Sequence, residues 1–220
     1  MTAQKENAKA YFDNISEEYA GVYAKDNSDS LRAYIFFTRR EYVRDMLDLE
    51  GGNVLDIGCG PGIMTENLLK RNCRVWNIDI SESMLEKARQ RMRFVEGEER
   101  AHFRVGDIEK LEFEDKYFDA VLCVGVLEYL SDDTIALKEI ARVLKPGGSA
   151  ILTVPNMASP FALLEKAVIF IANAFLKIPS SASGRDSLLF RDDITDRYYY
   201  PWRLNASLKN RGFKISKKIF

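Results

Sequence analysis

The residues best suited to chemistry begin with Val54-Leu55-Asp56-Ile57-Gly58-Cys59-Gly60-Pro61-Gly62, where glycines stand at every second position after an acid. Glycine allows a tight turn and close approach to the backbone, and a helix beginning after such a loop presents unpaired N–H groups. Asp79 follows 21 residues beyond Gly58 (79 − 58), about the distance at which a loop of this kind is joined by a carboxylate for ribose hydroxyls. Asp56 narrows the ligand. A carboxylate beside the loop repels a pyrophosphate and suits a group carrying positive charge. The glycine spacing is GxGxG, which differs from the dinucleotide pattern GxGxxG. Taken alone, the loop is equally compatible with a plain strand–turn–helix, and Asp79 shifts the balance toward a ligand.

These groups need elements to hold them. From Asn53 onward short apolar runs alternate with helical periods: NVLDIG, then MTENLLKRN; RVWNIDI, then SESMLEKARQRMRF; AHFRVGDI; YFDAVLCVGVL, then DDTIALKEIARVL; and SAILTVP. That alternation predicts βαβ units, a parallel sheet covered on both faces and a doubly wound α/β fold. Ser83, followed three residues later by Glu86, reads as a capping box. Lys145-Pro146-Gly147-Gly148 reads as a stop after the last of these helices. Residues 5–49 are helical and aromatic with a polar break at Asp26–Ser30, and GFKISKKIF at the end reads as one more strand.

Composition sets wide bounds. The chain has 220 residues, 32 basic and 33 acidic, for a formal charge of −1. That suits one domain and does not suit a polybasic nucleic-acid binder, although a balanced total leaves room for local basic patches. Cys59, Cys73 and Cys123 form no CxxC pair, and an odd count fits a reduced, cytoplasmic protein. No run reaches the roughly 18 apolar residues of a membrane span.

The quoted motifs resemble the class I S-adenosylmethionine-dependent methyltransferases. VLDIGCGPG, NIDIS, SESML, VGDIEKLEF, FDAVLCVGVLEYL and LKEIARVLKPGGSAILTVPN occur in the family's order over about residues 50–156. The resemblance implies a Rossmann-like methyltransferase fold and S-adenosylmethionine as cofactor. It places Asp56 and the loop residues Gly58, Cys59, Gly60 and Gly62 near the amino-acid end of the cofactor, and Asp79 on the ribose. Ile80, Met84, Asp107, Ile108 and Val124 then surround the adenine and the remainder. Ile80, Ile108 and Val124 also suit plain core packing, Met84 gap filling and Asp107 a turn. Glu128 and Tyr129, leaving the fourth strand, are candidates to orient or deprotonate an acceptor, with helix capping as the alternative. His102 begins the third strand, at the end away from the ligand, and is a poor base candidate.

Within that family the chain is most similar to quinone-pathway O-methyltransferases. SLRAYI resembles a segment whose arginine, here Arg32, holds the cofactor carboxylate. TVPNMASPFALLEKAV resembles the region after their fifth strand. Where some members carry acid-x-x-acid-His for a divalent metal, this chain reads Gly125-Val126-Leu127-Glu128-Tyr129. No metal is expected, and a catechol-like acceptor becomes doubtful.

In the stretch 160–178 the polar residues Glu165, Lys166, Asn173 and Lys177 share one narrow helical face. Core packing, a lid over an apolar acceptor, a dimer contact and a peripheral membrane contact are all open for it. Tyr11, Tyr19 and the aromatic run Asp196 to Trp202 suit either an acceptor pocket or packing. Altogether the expected organisation is an N-terminal helical cap at 1–50 and a cofactor-binding core at 51–156. An amphipathic helical insert at 157–205 and a final helix and strand at 206–220 complete it, the sheet lacking its last strand. The expected partner is a small, apolar or lipid-like acceptor molecule, with no nucleic acid.

Overall fold

Val54, Leu55 and Ile57 are apolar in succession and fully buried, as a strand covered on both faces requires. They form β1 (Asn53–Ile57), which is joined by β2 (Arg74–Asp79), β3 (Ala101–Val105), β4 (Phe118–Val124) and β5 (Leu144–Thr153). The computed structural model describes residues 2–24, 31–159 and 197–218. Within them the sheet runs β3-β2-β1-β4-β5 and every pairing is parallel. Strand order reverses between β1 and β4, so the crevice at their carboxyl ends is the expected ligand site.

Successive residues of a strand point to opposite faces, and the core divides accordingly. Leu55, Ile57, Val121 and Cys123 pack on one side with Leu137 and Ile140 of α5 (Thr134–Val143). Val54, Ala120 and Leu122 pack on the other with Leu68 and Leu69 of α3 (Ile63–Lys70) and Met92 of α4 (Glu82–Met92). Val43, from α2 (Leu31–Met46), joins that second side.

Three sequence expectations shift. The cap of α4 is Ser81 rather than Ser83: its backbone is extended and its Oγ accepts from the Met84 N–H at 3.1 Å. Ser83 lies inside the first turn. α5 does end at Val143, just before Lys145–Gly148, but that stretch is not a separate turn. It belongs to β5, where the register against β4 slips between Phe118 and Ala120. Finally, residues 213–218 have no regular structure although GFKISKKIF alternates like a strand. Phe213 instead packs on the core beside Leu204 and Leu208 of α6 (Pro201–Lys209). The insert residues 160–178 and the break at 26–30 lie outside the described residues. Among the described residues no helix is long and apolar enough to cross a membrane.

α1 (Ala3–Ala24) crosses the carboxyl ends of the strands. Lys5 reaches the loop after β3, where its ammonium pairs with Asp107 at 2.7 Å and also with Glu109. Asp13 accepts from Ser81 Oγ at 2.6 Å, after β2. Phe12 meets Tyr129 edge-on at 5.3 Å, after β4. The cap is thus bolted to successive loops of the sheet by named pairs.

The glycines of the first loop are set by the protein's own packing. A Cβ on Gly58 would lie 2.2 Å from Val126 Cγ2, at a φ of +65°. A Cβ on Gly62 would lie 3.1 Å from Ala88 Cβ of α4. Gly58→Ala therefore combines a strained backbone with overpacking and is expected to cost about 2–4 kcal/mol in urea unfolding. Adding Val126→Ala should recover the overpacking share and leave the strain.

Candidate cofactor and active site

At the β1–β4 switch point lies a small, solvent-open cleft. The core contributes Asp56, Gly58, Cys59, Gly60, Pro61, Ile63, Met64 and Val124 to its walls, and the helical cap contributes Tyr19, Phe36, Arg39 and Arg40. Two carboxylates dominate its chemistry. Asp56 is 2% exposed, and among the described residues its Oδ2 has no hydrogen-bond partner. Burial, and then the neighbouring Asp79, push it up to about 8. Asp79 is 8% exposed. Its Oδ2 accepts from the Gly60 N–H and its Oδ1 from the Ser81 N–H, both at 2.9 Å. Burial raises it to about 6, against the lowering effect of those backbone donors. Asp79 is a pre-built anion, whereas Asp56 awaits a cation.

The cation that faces this pair across the cleft comes from α2. Arg39 stacks over Phe36, with its guanidinium carbon 5.0 Å from the ring centre. Among the described residues that guanidinium makes no ion pair or hydrogen bond. It lies over Gly125: a Cβ there would fall 2.6 Å from Arg39 Nη1 and 3.5 Å from Glu128 Oε1. The cleft therefore carries a buried acid, Asp56, on one wall and the Arg39 guanidinium, beside the Glu128 carboxylate, on another. That pattern fits a zwitterionic amino-acid group, whose ammonium and carboxylate would go to opposite sides.

Sequence-predicted residues fall into three groups. Asp56, Gly58, Cys59, Gly60 and Val124 line the cleft. Cys59 is fully buried, and burial drives its thiol well up, so it stays protonated and unreactive. Asp79 adjoins the cleft through Gly60, and Ile80 beyond it is half-buried. Met84 and Ile108 are buried, and Ile108 belongs to the core cluster. Gly62 serves the α3–α4 contact. Asp107 is bound to Lys5. Arg32 stands in α2, but its side chain is outside the described set. The arginines that reach the cleft, Arg39 and Arg40, were not singled out by sequence. The available signal was helical spacing, because Arg39 is seven residues past Arg32 and so on the same face. His102, at the amino end of β3, stacks on Trp76 at 5.1 Å, far from this chemistry.

Glu128 and Tyr129 occupy a short 3-10 turn after β4, with Glu128 6% exposed. The turn is pinned from the segment leading into α6. The Arg197 N–H donates to the Glu128 carbonyl at 2.9 Å, and the Tyr199 hydroxyl donates to the Leu127 carbonyl at 3.1 Å. Tyr199 also bridges to Asn156 after β5. The loops after β4 and β5 are thereby tied together. Among the described residues, no group of three or more His, Cys, Asp or Glu side chains is arranged to hold a metal ion.

Fold and cleft together define a class: a doubly wound α/β protein that binds a nucleoside with a mixed-charge, amino-acid-like end. Residues 55–152 match the family model described as a methyltransferase domain. The chain is 33% identical over 186 residues to a ubiquinone biosynthesis O-methyltransferase of Xanthomonas oryzae pv. oryzae, covering 79% of this chain and 77% of the relative. Its fold resembles that of the magnesium protoporphyrin IX methyltransferase of Synechocystis PCC 6803, solved with bound S-adenosylhomocysteine. That likeness has a TM-score of 0.73 at 18% identity, covering 97% of this chain and 91% of the other. A methyltransferase of Thermotoga maritima, described as a possible histamine N-methyltransferase, gives a TM-score of 0.66 at 21% identity, covering 94% and 81%. The chain belongs to the class I S-adenosylmethionine-dependent methyltransferases, and its cofactor is S-adenosylmethionine.

The raised acids give a pH signature. In the cofactor-free fold Asp56 keeps its proton up to about pH 8, whereas in an unfolded chain it ionises near 4. The fold thus binds more protons than the unfolded chain across that window, so this group's contribution to stability falls as pH rises through it. Asp79, with its value of about 6, acts in the same direction over a narrower range. Asp56→Asn should flatten the slope. Thermal unfolding of the cofactor-free protein is expected to show the variant gaining on the wild type as pH rises from about 5 to 8.5. A second expectation concerns the cap. Lys5→Met strips the cation from between Asp107 and Glu109, and hydrogen exchange across residues 3–24 should accelerate about tenfold or more.

Proposed function

We propose that the protein transfers the cofactor's methyl group to an oxygen of a small, apolar, phenol-type acceptor. The carrying observation is the rim beside Arg39, where the buried Glu128 stands next to an aromatic wall. Phe12 packs edge-on against Tyr129 at 5.3 Å and against Tyr19 at 5.8 Å, and Tyr19 meets Phe36 at 5.5 Å. Aromatic walls with one carboxylate suit a flat, greasy acceptor bearing a single acidic hydroxyl. The name of the 33%-identical Xanthomonas relative, a ubiquinone biosynthesis O-methyltransferase, supports the same acceptor chemistry.

The cofactor supplies a methyl group already attached to a good leaving group. The chain's own task is to align and dehydrate. In this reading Asp56 takes the cofactor's ammonium and Arg39 its carboxylate, while Asp79 takes the ribose hydroxyls. Gly58 and Gly60 bring the backbone close, and Val124 lies along the same wall. Ile80, Met84, Asp107 and Ile108 frame the adenine side, where α1 and Lys5 close over them. Glu128 receives the acceptor's proton as the new oxygen–carbon bond forms, and Tyr129 positions the ring.

The test uses labelled S-adenosylmethionine with matched acceptors: an alkyl-chain phenol, the corresponding amine and a chain-free phenol. The expected result is O-methyl product, fastest with the alkyl-chain phenol. Methylation of the amine alone would overturn the acceptor assignment. Glu128→Gln is expected to lower kcat about 10²-fold with cofactor affinity unchanged. Arg39→Ala and Asp79→Ala should each weaken cofactor binding about tenfold or more, as read by calorimetry.

A further inference from the structure

The last described segment carries a charge pattern that methyl transfer does not use. Residues 201–220 contain Arg203, Lys209, Arg211, Lys214, Lys217 and Lys218 and no Asp or Glu. They contribute +6, while the whole chain totals −1, so the remainder sums to −7 (−1 − 6). α6 separates its residues cleanly. Leu204 and Leu208 turn inward to the core. Trp202, Arg203, Ala206 and Lys209 are exposed, Trp202 at 61%. At about 100° per residue these four fall on one face of roughly 120°. Lys214, Lys217 and Lys218, in the residues that follow the helix, are exposed as well. Arg211 alone turns back, donating to the Ser207 carbonyl and hydroxyl at 2.9 and 2.7 Å.

We propose that this face docks the protein on an anionic phospholipid surface. Five exposed cations with no acid among them are complementary to such a surface, and each Lys or Arg near it adds to the attraction. Trp202 and Tyr200 supply the amphipathic rings that settle at headgroup level. The apolar side of α6 stays on the core, so the contact is an adsorbed, reversible one rather than an inserted helix.

A single-stranded nucleic acid is the rival anionic partner, and the geometry disfavours it. Base stacking needs an open aromatic face along a groove. Here the Tyr200 ring is 4.9 Å from that of Trp202, and Arg203 lies over it at 5.4 Å. The surface is the convex outside of a helix. Its position also matters. Arg197 and Tyr199, just before α6, hold the loops after β4 and β5. Docking here would bring the acceptor side of the cleft to the bilayer. The proposal does not depend on which acceptor is methylated.

The experiment is co-sedimentation of the full chain with phosphatidylcholine vesicles, alone or with about one third phosphatidylglycerol, at low salt and near 0.5 M salt. Binding is expected only to the anionic vesicles and is expected to be lost at high salt. The variant R203Q/K209Q/K214Q/K217Q should bind them roughly a hundredfold more weakly, with cofactor affinity unchanged as proof of folding. Trp202→Phe should remove the fluorescence shift on binding while leaving most of the affinity. Equal binding to neutral vesicles, or wild-type binding by the quadruple variant, would overturn the proposal. So would preference for single-stranded RNA in direct competition with the anionic vesicles.

Discussion

Two carboxylates buried at neighbouring strand ends, with no cation beside them, are the constraint around which the cleft is organised. β1 and β2 are adjacent and parallel, so the acids that end them are brought into one low-dielectric space. There, ionising either one raises the cost of ionising the other. The protein resolves the conflict unequally. Asp79 receives the Gly60 and Ser81 N–H groups, while Asp56 Oδ2 has no donor among the described residues. Backbone donors favour the charged form of Asp79, and isolation favours the neutral form of Asp56. Buried polar groups without partners are rare in proteins. One that points into a cleft is therefore a statement about what the cleft binds.

The walls follow from keeping that space closed. Val126 sits where a side chain on Gly58 would be, and Ala88 where one on Gly62 would be. The glycine loop is consequently shaped by the post-β4 turn on one side and by α4 on the other. This sharpens the meaning of the motif: two of its three glycines are explained by protein–protein packing, and the third, Gly60, donates its N–H to Asp79 and lines the cleft.

Much of this was legible in the sequence, for specific reasons. Short, mostly apolar runs alternating with helical periods made β1, β2 and β4 plain. Asp56 stood out because a carboxylate beside the glycine loop suits a cationic group, and Asp79 because it lies 21 residues beyond Gly58 (79 − 58). Arg39 was not legible. Its role depends on how α2 crosses the sheet, and nothing in the local sequence separates it from Arg32 or Arg40. The Lys5 bridge spans 102 residues, beyond any local pattern. GFKISKKIF alternates like a strand, yet Phe213 finds a core contact beside Leu204 and Leu208 that the alternation does not encode. Ser81 displaced Ser83 as a cap because its burial and its bond to Asp13 are tertiary facts.

The molecule's charges work in two different physical regimes. The acids of the cleft are enclosed, so mobile ions do little to screen them, and their effect is expressed through proton occupancy. The cations of α6 and the residues after it are exposed, and their reach shrinks with the Debye length as salt increases. In the reading proposed here, cofactor recognition would respond chiefly to pH and surface docking chiefly to ionic strength. The two are joined mechanically at Tyr199 and Arg197, which hold the Glu128 turn on one side and lead directly into α6 on the other. A force borne by the basic face thus has a short covalent and hydrogen-bonded route to the acceptor side of the cleft. It has no comparable route to Asp56 and Asp79, which are held by the interior of the sheet.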